Sequence, residues 1–147
     1  MKNLEYFGLG PVENYPDRCS AALLGRWQSD VGEQYFHYAH PQESGNHGGT
    51  YWLTLTDDAG RGWLIETLGE PFSFSALPYS VHQLYRKAHD ADLHPEPFVF
   101  LNIDAAVMGL GNSSCGPGVL QKYAISSGKK TLRLRFTPID SAPRDVK

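Results

Sequence analysis

Through most of this chain apolar and polar residues alternate in twos, in short runs set apart by Gly, Pro, Asn and Asp. A period of two puts alternate side chains on opposite faces of a pleated strand. With its β-branched and aromatic enrichment, the pattern predicts strands over residues 4–7, 21–28, 34–39, 50–56, 62–67, 72–77, 98–103, 122–125 and 131–137. Leu132, Leu134 and Phe136 alternate with Arg133 and Arg135, as in a strand with one buried face. Asp57-Asp58-Ala59-Gly60 reads as a hairpin turn between two of these strands.

One segment has a different period. Val81, Leu84, Tyr85 and Ala88 follow helical spacing, so a short helix with one apolar face is predicted over 81–89. Ser80 stands at its N-cap, and Gln83 has the spacing of a capping box. Arg86, Lys87 and His89 fall in the last turns, where the helix dipole favours cations, and Pro95 and Pro97 close the region. The fold class is therefore all-β: an antiparallel β-sandwich with one short helix, over residues 1–140, followed by a polar tail over 141–147.

Composition narrows the function classes. A chain of 147 residues, 41% hydrophobic and 20% charged, fits one folded domain. A net charge of −3 argues against a nucleic-acid partner, which needs a basic surface. No apolar run approaches the roughly 20 residues of a membrane helix. No apolar signal region precedes the first strand, so the cytoplasm is the expected compartment. Cys19 and Cys115 are the only cysteines, too few for a disulfide scaffold, and both are expected to stay reduced.

The most informative chemistry lies where strand 98–103 runs into a loop of small residues. Four glycines and one proline among residues 109–118 open backbone angles closed to other residues and stop any helix from following. Such a loop brings backbone and selected side chains to the rim of a site. Glu13, Glu43, Glu66 and Asp104 are candidate carboxylates, but no local spacing pairs any two of them for acid–base work. His89, Asp90, Asp92 and His94 are metal-binding types without a ligand spacing, and a solvated helix end is expected there; no metal or cofactor is expected in this chain. Of Trp27, Trp52 and Trp63, alternation favours Trp52 as the one facing outward, with core packing expected for the set. Gly8-Leu9-Gly10 and Gly109-Leu110-Gly111 lack the third glycine and helix of a dinucleotide site, and no Gly-x-Ser-x-Gly elbow is present.

Four blocks carry a resemblance. Leu101-Asn102-Ile103-Asp104 leads into Met108-Gly109-Leu110-Gly111, and before it come Gly8-Leu9-Gly10-Pro11-Val12-Glu13-Asn14-Tyr15-Pro16-Asp17-Arg18, Pro41-Gln42-Glu43-Ser44-Gly45-Asn46 and Phe72-Ser73-Phe74-Ser75-Ala76. In this order they resemble the C-terminal β-sandwich domain of the β-galactosidases of glycoside hydrolase family 2. The resemblance implies the second half of a galactose-mutarotase-like supersandwich. It implies that the catalytic barrel and the first half of the sandwich are partners lying elsewhere, and that this chain holds no catalytic residue.

It also implies a substrate rim facing a β-galactoside, made of Asn112, Ser113, Ser114, Cys115, Gly116 and Pro117. Glu13, Asn14, Asp17, Arg18, Gln42, Glu43 and Asn46 would hold structural turns. Cys115 stands about where the family carries a sugar-stacking tryptophan, and His47 where an arginine is frequent; a thiol has no stacking face. A half-sandwich leaves strand edges open, so self-association is expected. Two further readings are a free-standing carbohydrate-binding module and, from fold likeness alone, a sugar epimerase.

Overall fold

The computed structural model describes residues 1–112 and 115–140; Ser113, Ser114 and the 141–147 tail lie outside the described residues. Among the described residues eight strands form two antiparallel sheets: β1 (Asn3–Gly10), β2 (Leu23–Asp30), β3 (His47–Thr50), β4 (Trp52–Thr56), β5 (Gly62–Thr67), β6 (Phe72–Leu77), β7 (Phe100–Asp104) and β8 (Leu134–Ile139). The larger sheet has the order β2-β1-β4-β5-β8, the smaller β3-β6-β7. One α-helix, α1 (Val81–Arg86), follows β6. The architecture is an all-β sandwich.

Register explains the core. Trp27, Tyr6, Leu53, Ile65 and Phe136 are directly opposite one another across the larger sheet, so their side chains share one face. Leu4, Leu55 and Trp63 make the next row of that face. Tyr6, Leu53, Ile65, Leu4 and Leu55 are buried against Phe72, Phe74 and Ala76 of β6. A second cluster, Tyr35, Leu77, Leu84 and Leu93, lies under α1.

One polar ring sits within the main core. His47 is buried, touching Tyr6 and Phe74 ring to ring. Its Nε2 meets Gln34 Oε1 at 2.7 Å, an acceptor, so Nε2 donates and Nδ1 accepts from the Tyr6 hydroxyl at 2.9 Å. Burial pushes the imidazole down to about 4, keeping it neutral. The position that resemblance associates with an arginine is here a core contact.

Several expected elements differ. Residues 34–39 form no strand: Tyr35 is drawn into the cluster beneath α1, and the Phe36 amide donates to Ser44 Oγ at 3.1 Å, so no ladder partner is engaged. Residues 122–125 give only a short 3₁₀ turn, Gln121–Tyr123, whose Tyr123 carbonyl accepts the Gly109 amide at 3.0 Å. The expected strand 50–56 breaks at Tyr51, with Thr50 in the smaller sheet and Trp52 in the larger. The helix ends at Arg86, because Lys87 is extended and a 3₁₀ turn, Asp90–Asp92, takes over.

The Ser80 cap forms, with Oγ accepting the Gln83 amide at 3.3 Å, but the returning arm comes from Glu96, not Gln83. The Asp57–Gly60 turn joins β4 to β5 as expected. The Asp57 carboxylate accepts the Ala59 and Arg61 amides, both at 2.9 Å. Trp52 faces away from the core and stacks on Phe7, whereas Trp63 points to the core face yet is the more exposed.

Candidate functional site

The sequence blocks near residues 13–18, 41–46 and 109–118 meet at one end of the sandwich. Glu13 is buried and joins two of them. Its Oε1 accepts from Arg18 Nη1 at 2.5 Å and from the Tyr38 hydroxyl, and its Oε2 accepts the Gly45 amide at 2.8 Å. Arg18 also donates to the Tyr38 oxygen at 2.6 Å and covers the Phe36 ring. Gly45 must be glycine: its φ is +71°, and a Cβ would stand 2.3 Å from the Gln34 carbonyl oxygen.

Asn14 and Asn46 zip the same two segments together. The Asn14 amide donates to the Asn46 carbonyl at 2.7 Å, and Asn46 Nδ2 returns a bond to the Asn14 carbonyl at 2.6 Å. Asn14 Oδ1 accepts the Gly48 amide at 2.9 Å. These bonds run from side chains of one loop to the backbone of the other, which fixes both loops.

Asp17 reaches the third block. Its carboxylate accepts the Leu110 amide at 2.9 Å and the Gly111 amide at 2.8 Å. These amides, Gly111 foremost, hold the Asp17 carboxyl below the usual carboxylate range, against the opposing cost of desolvation. The loop is shaped to this contact, since a Cβ on Gly109 would lie 2.7 Å from the Asp17 carboxyl carbon. Beyond it the Asn112 amide donates to the Pro117 carbonyl at 3.0 Å, and the Cys115 amide to the Asn112 carbonyl at 3.0 Å, closing the loop tip.

Between Asp17–Arg18, Tyr38 and the segment from Leu110 to Tyr123 lies an open cleft of about 560 Å³. Arg18, Tyr38 and Asn112 offer it polar groups; Leu110, Leu120 and Tyr123 give it apolar walls. Such a mixture of hydrogen-bonding groups and a ring suits a polyhydroxylated ligand with apolar C–H faces. Among the described residues Asp17 is the only carboxylate on this lining, and both its oxygens are engaged by backbone amides.

Of the expected rim residues, Asn112 and Pro117 line the cleft. Cys115 and Gly116 are exposed and outside its lining, and Ser113 and Ser114 lie outside the described residues. Asp17 and Arg18, expected as turn residues, line it too. Gln42 and Glu43 face a separate groove beside α1, with His40, Pro41 and Tyr85. The Glu43 carboxyl is raised by desolvation and then by Asp104, and Asn102 Nδ2 reaches it at 3.5 Å.

Tyr38 and Tyr123 were not legible as site residues, because both sit in segments patterned like strands. Their one signal was a tyrosine set among polar neighbours, His37 and His40 in one case and Lys122 in the other. Asp90, a metal-type candidate, instead takes the Tyr35 hydroxyl at 3.0 Å and His37 Nδ1 at 2.7 Å. Neither cysteine is in a disulfide. No helix among the described residues is long and apolar enough to cross a membrane.

A family model described as beta galactosidase small chain matches residues 1–137. The beta-galactosidase of Lactococcus lactis subsp. lactis is 37% identical over 136 residues, 92% of this chain and 13% of that protein. That of Streptococcus thermophilus is 36% identical over 126 residues, 85% of this chain and 12% of that protein. Beta-galactosidase BgaC of Bifidobacterium adolescentis is 40% identical over 111 residues, 74% of this chain and 10% of that protein. The chain thus spans about an eighth of the length of the first two relatives.

Proposed function

This chain belongs to the beta galactosidase small chain family, and from that premise we propose that it forms one wall of a β-galactoside-cleaving cavity whose bond-breaking groups come from other polypeptide. The observation that carries this reading is the Asp17-clamped loop over 109–112, set beside Arg18, Tyr38 and Tyr123 in one cleft. Glycoside hydrolysis needs two carboxylates facing each other across the scissile bond, about 5–10 Å apart. Among the described residues the one carboxylate on this lining is committed to two amides, so the cleft is suited to holding a sugar and not to cleaving it.

In this role Asn112, Arg18 and Tyr38 accept or donate hydrogen bonds to sugar hydroxyls, and the Tyr123 ring meets an apolar sugar face. The loop tip at Cys115, Gly116 and Pro117 extends the rim toward solvent. The gain to the reaction is orientation of the substrate and exclusion of water. Within the proposal, the enzyme is of glycoside hydrolase family 2 and this chain is the second half of its terminal supersandwich.

A chimera tests it: residues 1–137 of this chain replace the matched segment of the Lactococcus lactis enzyme. The expected result is hydrolysis of a chromogenic galactoside by the chimera, with KM raised by Tyr123→Ala and Asn112→Ala more than kcat is lowered. A folded chimera whose KM ignores both substitutions sinks the rim assignment. The isolated chain is expected to give no hydrolysis; robust turnover by it, lost in Glu43→Gln or Glu13→Gln, overturns the proposal.

A further inference from the structure

Residues 35–38 keep an alternation of side-chain contacts while belonging to neither sheet. Tyr35 and His37 share one side and meet edge to face, ring centroids 5.1 Å apart. Phe36 and Tyr38 share the other, 4.9 Å apart. With no ladder to fix this stretch of backbone, side chains from elsewhere in the chain must do it.

On the first side the fixing group is Asp90. One of its carboxylate oxygens accepts from His37 Nδ1 at 2.7 Å, the other from the Tyr35 hydroxyl at 3.0 Å. An ionised carboxylate only accepts, so the bond needs a proton on His37 Nδ1. The His37 bond foremost, and then that of Tyr35, holds the Asp90 carboxyl below the usual carboxylate range against desolvation. Asp90 is itself anchored. Leu93, whose amide donates to the Asp90 carbonyl at 3.0 Å, is buried in the same cluster as Tyr35. The His37 side chain is 75% exposed, so core packing does not account for its placement.

On the second side lies the cleft. The Tyr38 hydroxyl donates to Glu13, and its oxygen accepts from Arg18 at 2.6 Å. A phenol has one proton and two lone pairs, so one lone pair of Tyr38 remains, and it can serve only a sugar hydroxyl that donates. That single acceptor is useful only if the ring is correctly aimed. The Tyr38 amide donates to the Phe36 carbonyl at 3.1 Å, a tight turn centred on His37, so rotation at His37 carries Tyr38 with it.

We infer that Asp90 is a positioning residue: through His37 and Tyr35 it anchors the segment that places Tyr38 in the cleft. This rests on the reading of the cleft as a sugar-holding wall. Asp90 and His37 touch no lining residue other than through this segment, and the effect on a sugar passes through Tyr38.

Two measurements test it. The isolated chain is labelled with 3-fluorotyrosine, and the Tyr38 fluorine signal is assigned by its loss in Tyr38→Phe. Asp90→Ala and His37→Ala should each move that signal. His37→Asn, whose amide nitrogen stands where Nδ1 does, should return it. In the chimera described above, Asp90→Ala and His37→Ala should raise KM for the chromogenic galactoside about fivefold, the effect of one hydrogen bond, with kcat unchanged. His37→Asn should restore KM, and neither alanine change should add to Tyr38→Phe. A Tyr38 signal that ignores both alanine changes overturns the inference. So does a KM increase that persists in full in the Tyr38→Phe background. A signal that moves while Tyr38→Phe leaves KM unchanged upholds the anchor and sinks the rim role of Tyr38 alone.

Discussion

Asp17 Oδ2 accepts the backbone amide of Gly111 at 2.8 Å, across 94 residues of sequence. With its other oxygen on the Leu110 amide, the carboxylate fixes the backbone of a glycine-rich loop that has no regular structure of its own. Asp17→Asn keeps one acceptor and turns an amino group toward a donor. It should cost about 1–3 kcal/mol, the range for a charge-assisted hydrogen bond and a misplaced donor. Exchange at residues 109–112 should accelerate while β1 and β4 stay protected, and unaltered loop exchange would remove Asp17 from this role.

Glu13 is expected to act through structure alone. Glu13→Gln leaves Arg18 without its anionic partner and weakens the grip on Gly45, so urea unfolding should shift by about 2 kcal/mol or more. In the chimera the same change should lower kcat far less than loss of a catalytic acid does, and an acid-sized loss would place Glu13 in the chemistry.

His47 makes stability depend on pH. Its imidazole is held at about 4 in the fold, against about 6.5 in an unfolded chain, so between these values the unfolded state binds more protons. Stability is fully present above pH 6.5, falls as pH drops through the window, and levels off below about 4. The loss amounts to about 3 kcal/mol. Glu43 and Asp104, both raised by burial, act with the opposite sign, so comparison with His47→Gln isolates the histidine. Parallel denaturation curves for the two proteins from pH 7 to 4 would refute the assignment.

The helix cap gives a local test. Ser80→Ala removes the acceptor for the Gln83 amide and the donor to Glu96 Oε1 at 2.6 Å, and should destabilise by about 1 kcal/mol. Gln83→Ala should leave the Ser80 contacts with Glu96 in place. If the Gln83 change proves to loosen Ser80 as much as the serine change does, Glu96 is not the returning arm of the cap.

The isolated chain should show no measurable heat with galactose or lactose in calorimetry, because the cleft is one open wall. Clear binding that disappears in Tyr123→Ala would favour a free-standing carbohydrate-binding module. Light scattering on the same sample should show self-association through open strand edges, and a monomer at all concentrations would count against those edges being exposed hazards.

Local alternation determined some strands outright, even where a partner is distant in sequence, as β3 and β7 are from β6. β5 and β6 fall within the expected bounds, and the turn at Asp57–Gly60 follows from side-chain chemistry within four residues. The all-β class and the helix start at Ser80 rest on equally local facts. The segments 34–39 and 122–125 carry the same alternation but make no strands, because a strand exists only where another backbone meets its hydrogen bonds. Pattern cannot supply that neighbour. The site follows the same division: glycines and the Asp17 block were visible as residues, whereas their meeting, and the admission of Tyr38 and Tyr123 to one cleft, required contacts across the whole chain. Phase alone put Phe136 with Leu132 and Leu134 on one face of its strand; only the register of β8 against β5 set it beside Ile65, and only the packing of the opposing sheet decided that Ile65 is core and Phe136 exposed.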